Sequence, residues 1–178
     1  MRFSQQLELS ARLWSQPGLR PCVALDGAGV PGLPQRLRQP AAPRSECLYR
    51  GELAPDLAEV APYLVELPRS GPFLDELLSG WGRHWGVYLL VPEALDFAAL
   101  RRHLRRLNLV RGAHDEPLLF RWYDPRVLRL LAPLMNAAQL DGLFGPVHRF
   151  VLEGDAPGTG LELTRFDGAL ACSCFGPG

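Results

Sequence analysis

The clearest pattern in the chain lies between residues 95 and 107. Phe97, Leu100, Leu104 and Leu107 recur there at i, i+3, i+7 and i+10, while Arg101, Arg102, Arg105 and Arg106 fall off that stripe. Such a period predicts an amphipathic helix with its apolar side toward a core. Just upstream, "WGVYLLV" (85–91) is almost unbroken in hydrophobicity, the mark of a strand buried on both faces. Further strands are predicted over 21–25, at "APYLVEL" (61–67) and at "PLLFRWY" (117–123). A helix over 3–16, with Phe3, Leu7, Leu13 and Trp14 partly on one face, is stopped by Pro17-Gly18. Gly71-Pro72 opens another, whose Phe73, Leu74, Leu77 and Leu78 share a face.

Asp124-Pro125 starts a helix with aspartate as N-cap and proline in the first turn, and Val127, Leu128, Leu131, Leu134 and Met135 form its apolar side. A short helix follows Asn136, reaches Leu143 and ends at Gly145-Pro146. "VHRFVLE" and "LELTRF", separated by Gly154, Pro157, Gly158 and Gly160, pair as a C-terminal hairpin. Strands interleaved with helices define a mixed α/β fold, mainly a single-layer sheet flanked by helices. The 178 residues are read as one domain spanning 1–178.

Composition narrows the function. Hydrophobic residues make up 47% and charged residues 21%, with a formal net charge of zero. No global electrostatic pull toward nucleic acid or an anionic membrane is expected from such a balance. All 19 basic residues are arginine, which excludes lysine Schiff bases and a P-loop lysine. The stretch "MRFSQQLELS" lacks the basic and apolar regions of a secretory signal, and the apolar run at 87–91 is too short to cross a bilayer. A cytoplasmic protein with reduced thiols at Cys22, Cys47, Cys172 and Cys174 is expected. The C-x-C at the tail has no second ligand pair, and His84, His103, His114 and His148 stand singly, so neither a metal nor a cofactor is expected. No serine lies in G-x-S-x-G, and no catalytic residue is assigned.

One stretch argues the other way. "CVALDGAGVPG" (22–32) places Gly27, Gly29 and Gly32 at G-x-G-x-x-G spacing behind an apolar strand, the fingerprint of dinucleotide binding. That fingerprint needs a long helix after the third glycine, its N-terminus facing phosphate. Pro34 and Pro40 leave a turn or two at most, and Glu52, at the distance of the required acidic residue, sits in a turn-like segment. A glycine-rich loop is the better reading, with a small α/β enzyme or nucleotide binder kept as the alternative.

Two constellations remain. Arg101, Arg102, Arg105 and Arg106 form a like-charged helix face that is either simply solvated or answered by an acidic partner. In "FRWYDPRVL" (120–128), Phe120 and Trp122 alternate with Arg121 and Tyr123, and Arg121 and Arg126 flank the Asp124 carboxylate where strand meets helix.

Taken in order, "ALDGA", "ECLYRGE", "APYLVEL", "WGVYLL", "LRRHLRRL", "LLFRWYDPRVLRLL" and "LFGPVHRF" resemble the adaptor, or chaperone, family of bacterial type VI secretion, over about residues 21–150. The resemblance implies a non-enzymatic protein that binds one cognate effector in the producing cell and helps load it onto the VgrG spike. Its implied partners are that effector and VgrG, with no nucleic acid and no membrane. It marks Asp26, His103, Arg121, Tyr123, Asp124, Pro125 and Arg126 as family-motif positions, and Arg102 and Arg106 of the arginine face join them as candidate partner contacts. Many relatives carry a further helical C-terminal part, whereas this chain ends soon after the expected hairpin.

Overall fold

The computed structural model describes residues 3–112 and 114–177; the side chains of Phe3 and Ser4 lie outside what is described. The elements run α1 (Phe3–Leu13), β1 (Leu19–Asp26), α2 (Leu33–Leu37), β2 (Ser45–Cys47), α3 (Pro55–Val60), β3 (Pro62–Glu66), α4 (Pro72–Ser79) and β4 (Gly86–Pro92). They continue with α5 (Phe97–Leu107), β5 (Leu109–Arg111), β6 (Pro117–Leu119), α6 (Pro125–Leu131), α7 (Ala137–Phe144), β7 (Arg149–Glu153), β8 (Gly160–Phe166) and β9 (Ala169–Phe175). Seven strands form one sheet in the order β2-β3-β1-β4-β7-β8-β9, and β5 and β6 form a separate ribbon. Neighbours in both are antiparallel. The α/β architecture expected from the chain is present, with helices on both faces of a single sheet.

The period of two along the central strands explains their unbroken apolar appearance. Cys22 and Ala24 of β1, with Val87, Leu89 and Val91 of β4, face the layer containing α5, α6 and α7. Val23 and Leu25, with Tyr88 and Leu90, face the opposite layer, where Leu33 and the α4 residues Leu74, Leu77 and Leu78 pack. Strands covered on both sides have no polar face to show, so alternation disappears from the sequence. β1 and β4 run in register from Leu19↔Pro92 to Leu25↔Gly86, and β7 continues the sheet through Leu89↔Phe150. In the α5–α7 layer Phe150 meets Phe144 edge-on at 5.0 Å and Trp122 at 6.5 Å between ring centroids.

Helix boundaries follow their caps. α5 begins at Phe97 because the Asp96 carboxylate accepts the Ala99 N–H at 3.0 Å. α7 starts on a reciprocal pair between Asn136 and Gln139, each side chain accepting the other's backbone N–H at 2.9 Å. α1 ends at Leu13 rather than residue 16, and its buried side carries Leu9 and Leu13 while Leu7 is 55% exposed. Arg12 anchors it by bonding Glu162 of β8 at 3.1 Å and stacking over Phe175 of β9.

Three expectations are corrected. The predicted strand 117–123 stops at Leu119, and Phe120 to Asp124 form a turn into the core. The apolar side expected to run from Val127 to Met135 is interrupted, because the chain tightens to a 3₁₀ turn at Ala132–Leu134 and leaves Leu131 and Leu134 exposed. Behind the expected β7–β8 hairpin comes a third strand, β9, so the C-terminal unit is a meander.

Gly86 opens β4 directly against β1, where an added Cβ would overlap the Ala24 carbonyl. Gly86→Ala is therefore expected to cost about 1–3 kcal/mol by forcing the two central strands apart. Urea denaturation at equilibrium, read by fluorescence, checks it.

Candidate functional site

The glycine loop is spent on the fold. Gly27 N–H donates to the Ala61 carbonyl at 3.1 Å, and a Cβ on Gly27 would overlap the carbonyls of Ala61 and Glu59. The first glycine thus permits close approach to the α3–β3 backbone. Ala28 N–H donates to Asp26 Oδ1 at 3.2 Å, and the Gly29 and Val30 N–H groups donate to the Asp26 carbonyl at 2.9 and 3.1 Å. The helix that follows, α2, has five residues, a proline in its first turn and a left-handed Gly32 before it. Amides committed to turn hydrogen bonds, ahead of so short a helix, do not form a pyrophosphate cradle.

Asp26 itself belongs to a different arrangement. Its side chain is buried at the C-terminal end of β1, and Arg121 Nη2 donates to its Oδ2 at 2.5 Å. Arg121 also lies 3.9 Å from Asp124, whose carboxylate accepts the Arg126 N–H at 3.0 Å and the Arg126 guanidinium at 3.0 and 2.8 Å. Asp26, Arg121, Asp124 and Arg126 therefore alternate in sign along one corner, with Asp124 capping α6 as its sequence predicts. Burial raises the Asp124 pKa, but the hydrogen bonds and charge of Arg126, with Arg121, outweigh it and hold the carboxyl below its usual range. Tyr123 is buried, and its hydroxyl lies 3.2 Å from that of Tyr49. Burial, followed by that bond, pushes its pKa far up.

Asn108, which carries no motif signal, shapes the turn that holds this corner. Its amide donates to the Leu48 carbonyl at 2.8 Å, its side-chain oxygen accepts Trp122 Nε1–H at 2.9 Å, and its backbone carbonyl accepts Phe120 N–H at 2.9 Å. A buried side chain thus replaces the sheet partner that a strand over 117–123 would need.

The second set of motif residues lies on α5. His103 is buried, not part-exposed as its helix position suggests, and its Nε2–H donates to the Leu143 carbonyl at 3.1 Å. Its ring lies where a Cβ on Gly145 would be, at a φ of 47°. Burial lowers the His103 pKa, with Arg106 adding to the effect and the Leu143 bond opposing it. Arg101 leaves the outer face to bond the Cys47 carbonyl at 3.1 Å and pair with Glu46 at 3.5 Å. Arg102, Arg105 and Arg106 remain around a concavity shared with Arg50. Among the described residues no hydrogen bond or ion pair joins this set to the Asp26 corner, although both belong to the α5–α7 side of the sheet.

A further titratable pair was not apparent from spacing. Glu153, buried at the end of β7, accepts the His84 N–H at 3.0 Å and lies 2.6 Å from His84 Nδ1. Burial pushes its pKa up, against bonds from the Gly82 and His84 backbone. The pair borders a cavity of about 610 Å3, and it fastens the turn in which His84 takes a φ of 57°. Among the described residues there is no group of three His, Cys, Asp or Glu that could hold a metal ion, and no helix long and apolar enough to cross a membrane.

A two-faced antiparallel sheet with charged and buried polar residues knitting its helical layer defines the class as an α/β domain. The model of a family described as a domain of unknown function, DUF4123, matches residues 23–142. With more than half of its length matched, the chain belongs to that family. The match spans β1 to α7, and the β7–β9 meander beyond it completes the sheet. Neither the curated proteins nor the solved structures yield a match.

Three outcomes follow from this geometry. Asp124→Ala is expected to cost about 0.5–2 kcal/mol of stability through loss of the cap. Because its folded pKa is depressed, the contribution of Asp124 is present above about pH 3.9 and lost as pH falls through the folded value, which acid titration of wild type and variant checks. For His103, also depressed, the unfolded chain takes up the proton first, so stability declines as pH falls below about 6.5. His103→Gln keeps an N–H donor for Leu143 and is expected to flatten that decline, read by urea midpoints on either side of the transition. Isothermal titration with NAD, FAD or ATP is expected to show no saturable binding at the glycine loop.

Proposed function

We propose that this protein is a cytoplasmic adaptor that binds one cognate type VI secretion effector and promotes its loading onto the VgrG spike. The observation that carries the reading is convergence. Blocks that resemble the adaptors in sequence, and lie far apart along the chain, meet in space. Asp26 of "ALDGA" pairs with Arg121 of "FRWYDPR", and His103 of "LRRHLRRL" packs beneath the "LFGP" turn through Leu143 and Gly145. The family match over 23–142 falls within the stretch of resemblance at about 21–150.

The competing reading, a nucleotide-binding enzyme, rested on Gly27, Gly29 and Gly32. The hydrogen bonds that commit this loop to Asp26 and Ala61 argue against it. An adaptor needs an interface and no cofactor, and an area of roughly 1,200–2,000 Å2 in total would hold a specific partner.

Co-expression with any toxin and spike genes encoded beside this one tests the proposal. The toxin is expected to co-purify with the chain, and deletion of the gene to lower both toxin stability and secretion. Unchanged secretion together with no co-purifying neighbour would sink the adaptor reading.

A further inference from the structure

The side of α5 beyond the core opens onto a cavity of about 440 Å3. His103, Arg106 and Leu107 of α5 line it at i, i+3 and i+4, and Val110 of β5, Phe120 and Met135 complete that side of the lining. Gln139, Gly142 and Leu143 of α7 line it at i, i+3 and i+4. The α5 and α7 residues each form one helical face, so the cavity is a trough between two helical ridges, the shape that receives a third helix.

Its apolar surface does not stop at the rim. Val110 also belongs to the β5–β6 ribbon, where Leu109, Val110, Leu118 and Leu119 are 42–62% exposed. A small molecule filling the trough would leave these leucines in water; a helix emerging over the ribbon would cover them.

Charge specifies the other flank. Arg106 lines both the trough and the neighbouring concavity of Arg50, Arg102 and Arg105. None of these four forms an ion pair or a side-chain hydrogen bond among the described residues, and Nε of Arg105 is buried without a partner. Arg102, Arg105 and Arg106 are spaced i, i+3 and i+4, matching carboxylates one turn apart on a facing helix. Nucleic acid would answer the arginines but gain nothing from the apolar floor.

We infer that the trough binds an amphipathic helix of a partner protein, its apolar face between α5 and α7 and an acidic flank along Arg50, Arg102, Arg105 and Arg106. The inference deepens the adaptor reading by giving the chemistry of the bound segment, and it rests on that reading only for which protein carries it.

Gly142 permits a test that spares the fold. A Cβ there meets nothing within 4 Å, so Gly142→Leu projects into the trough. A displayed library of helical peptides, about five turns or 18 residues long, is selected on the wild-type protein, and the enriched peptides are titrated by fluorescence anisotropy. Enrichment of sequences with apolar residues at i, i+3 or i+4 and i+7, and Asp or Glu on one flank, is expected. Gly142→Leu is expected to weaken their binding about ten-fold or more, as is Arg102→Glu with Arg106→Glu, both with wild-type melting temperature. No enrichment, enrichment of basic or extended peptides, or affinity unchanged in both variants would overturn the inference. So would a fluorescent fatty acid that binds in a Gly142-dependent way while no peptide does. The selection does not use the neighbouring toxin. Acidic helices that bind the trough while the toxin fails to co-purify would therefore sink the adaptor reading alone.

Discussion

A buried carboxylate at the end of an interior strand of the sheet is the constraint around which this molecule is arranged. Asp26 closes β1 in the middle of the sheet, where water is excluded, and an unpaired charge there would cost several kcal/mol. Arg121 answers it from 95 residues away. To do so, the chain after β6 must turn back onto the sheet, and that turn drives Trp122 and Tyr123 into the core and brings Asp124 to the first turn of α6. The Arg121 side chain is 41% exposed and keeps contact with water, while its partner remains sealed. The same Asp26 gathers the amides of the glycine loop, which is why a nucleotide-like spacing ends in a tight turn.

The readable parts of the chain were those governed by one periodic face or one local cap. α5 has a polar and an apolar side, Asp124 precedes a proline, and β4 is a continuous apolar run; each of these is a short-range signal. What escaped depends on contacts that spacing does not encode. The aromatic alternation of 120–123 imitates a strand, yet Asn108 supplies hydrogen bonds that a neighbouring strand would otherwise provide. β9, "ALACSCF", is mostly exposed and built of small residues, so it lacks the alternation that marks β8. The candidate residues were legible as types but not as groups: Asp26 and Arg121 carry no sign of their pairing, and His103 reads as a surface position until α7 is laid over it.

α5 shows how one helix of 11 residues serves three neighbours. Phe97, Leu100 and Leu104 face the sheet, His103 reaches the end of α7, and Arg101 fastens the segment around Cys47. Only then are Arg102 and Arg106 left to the outside. A like-charged outer face is tolerable here because the helix is held by its other sides.

The strand order carries a consequence for how the chain is made. β1 lies between β3 and β4, and its register runs against Glu66 to Pro62 on one edge and Pro92 to Gly86 on the other. Nothing among the described residues before β3 offers it a partner strand. As the polypeptide leaves the ribosome, an apolar strand therefore waits with both edges open until Glu66 has emerged and with one edge open until Pro92 has followed, and each of these pairings closes a long loop. Folding of this domain is late and non-local, and the interval before β4 appears is the time when aggregation competes with it most strongly.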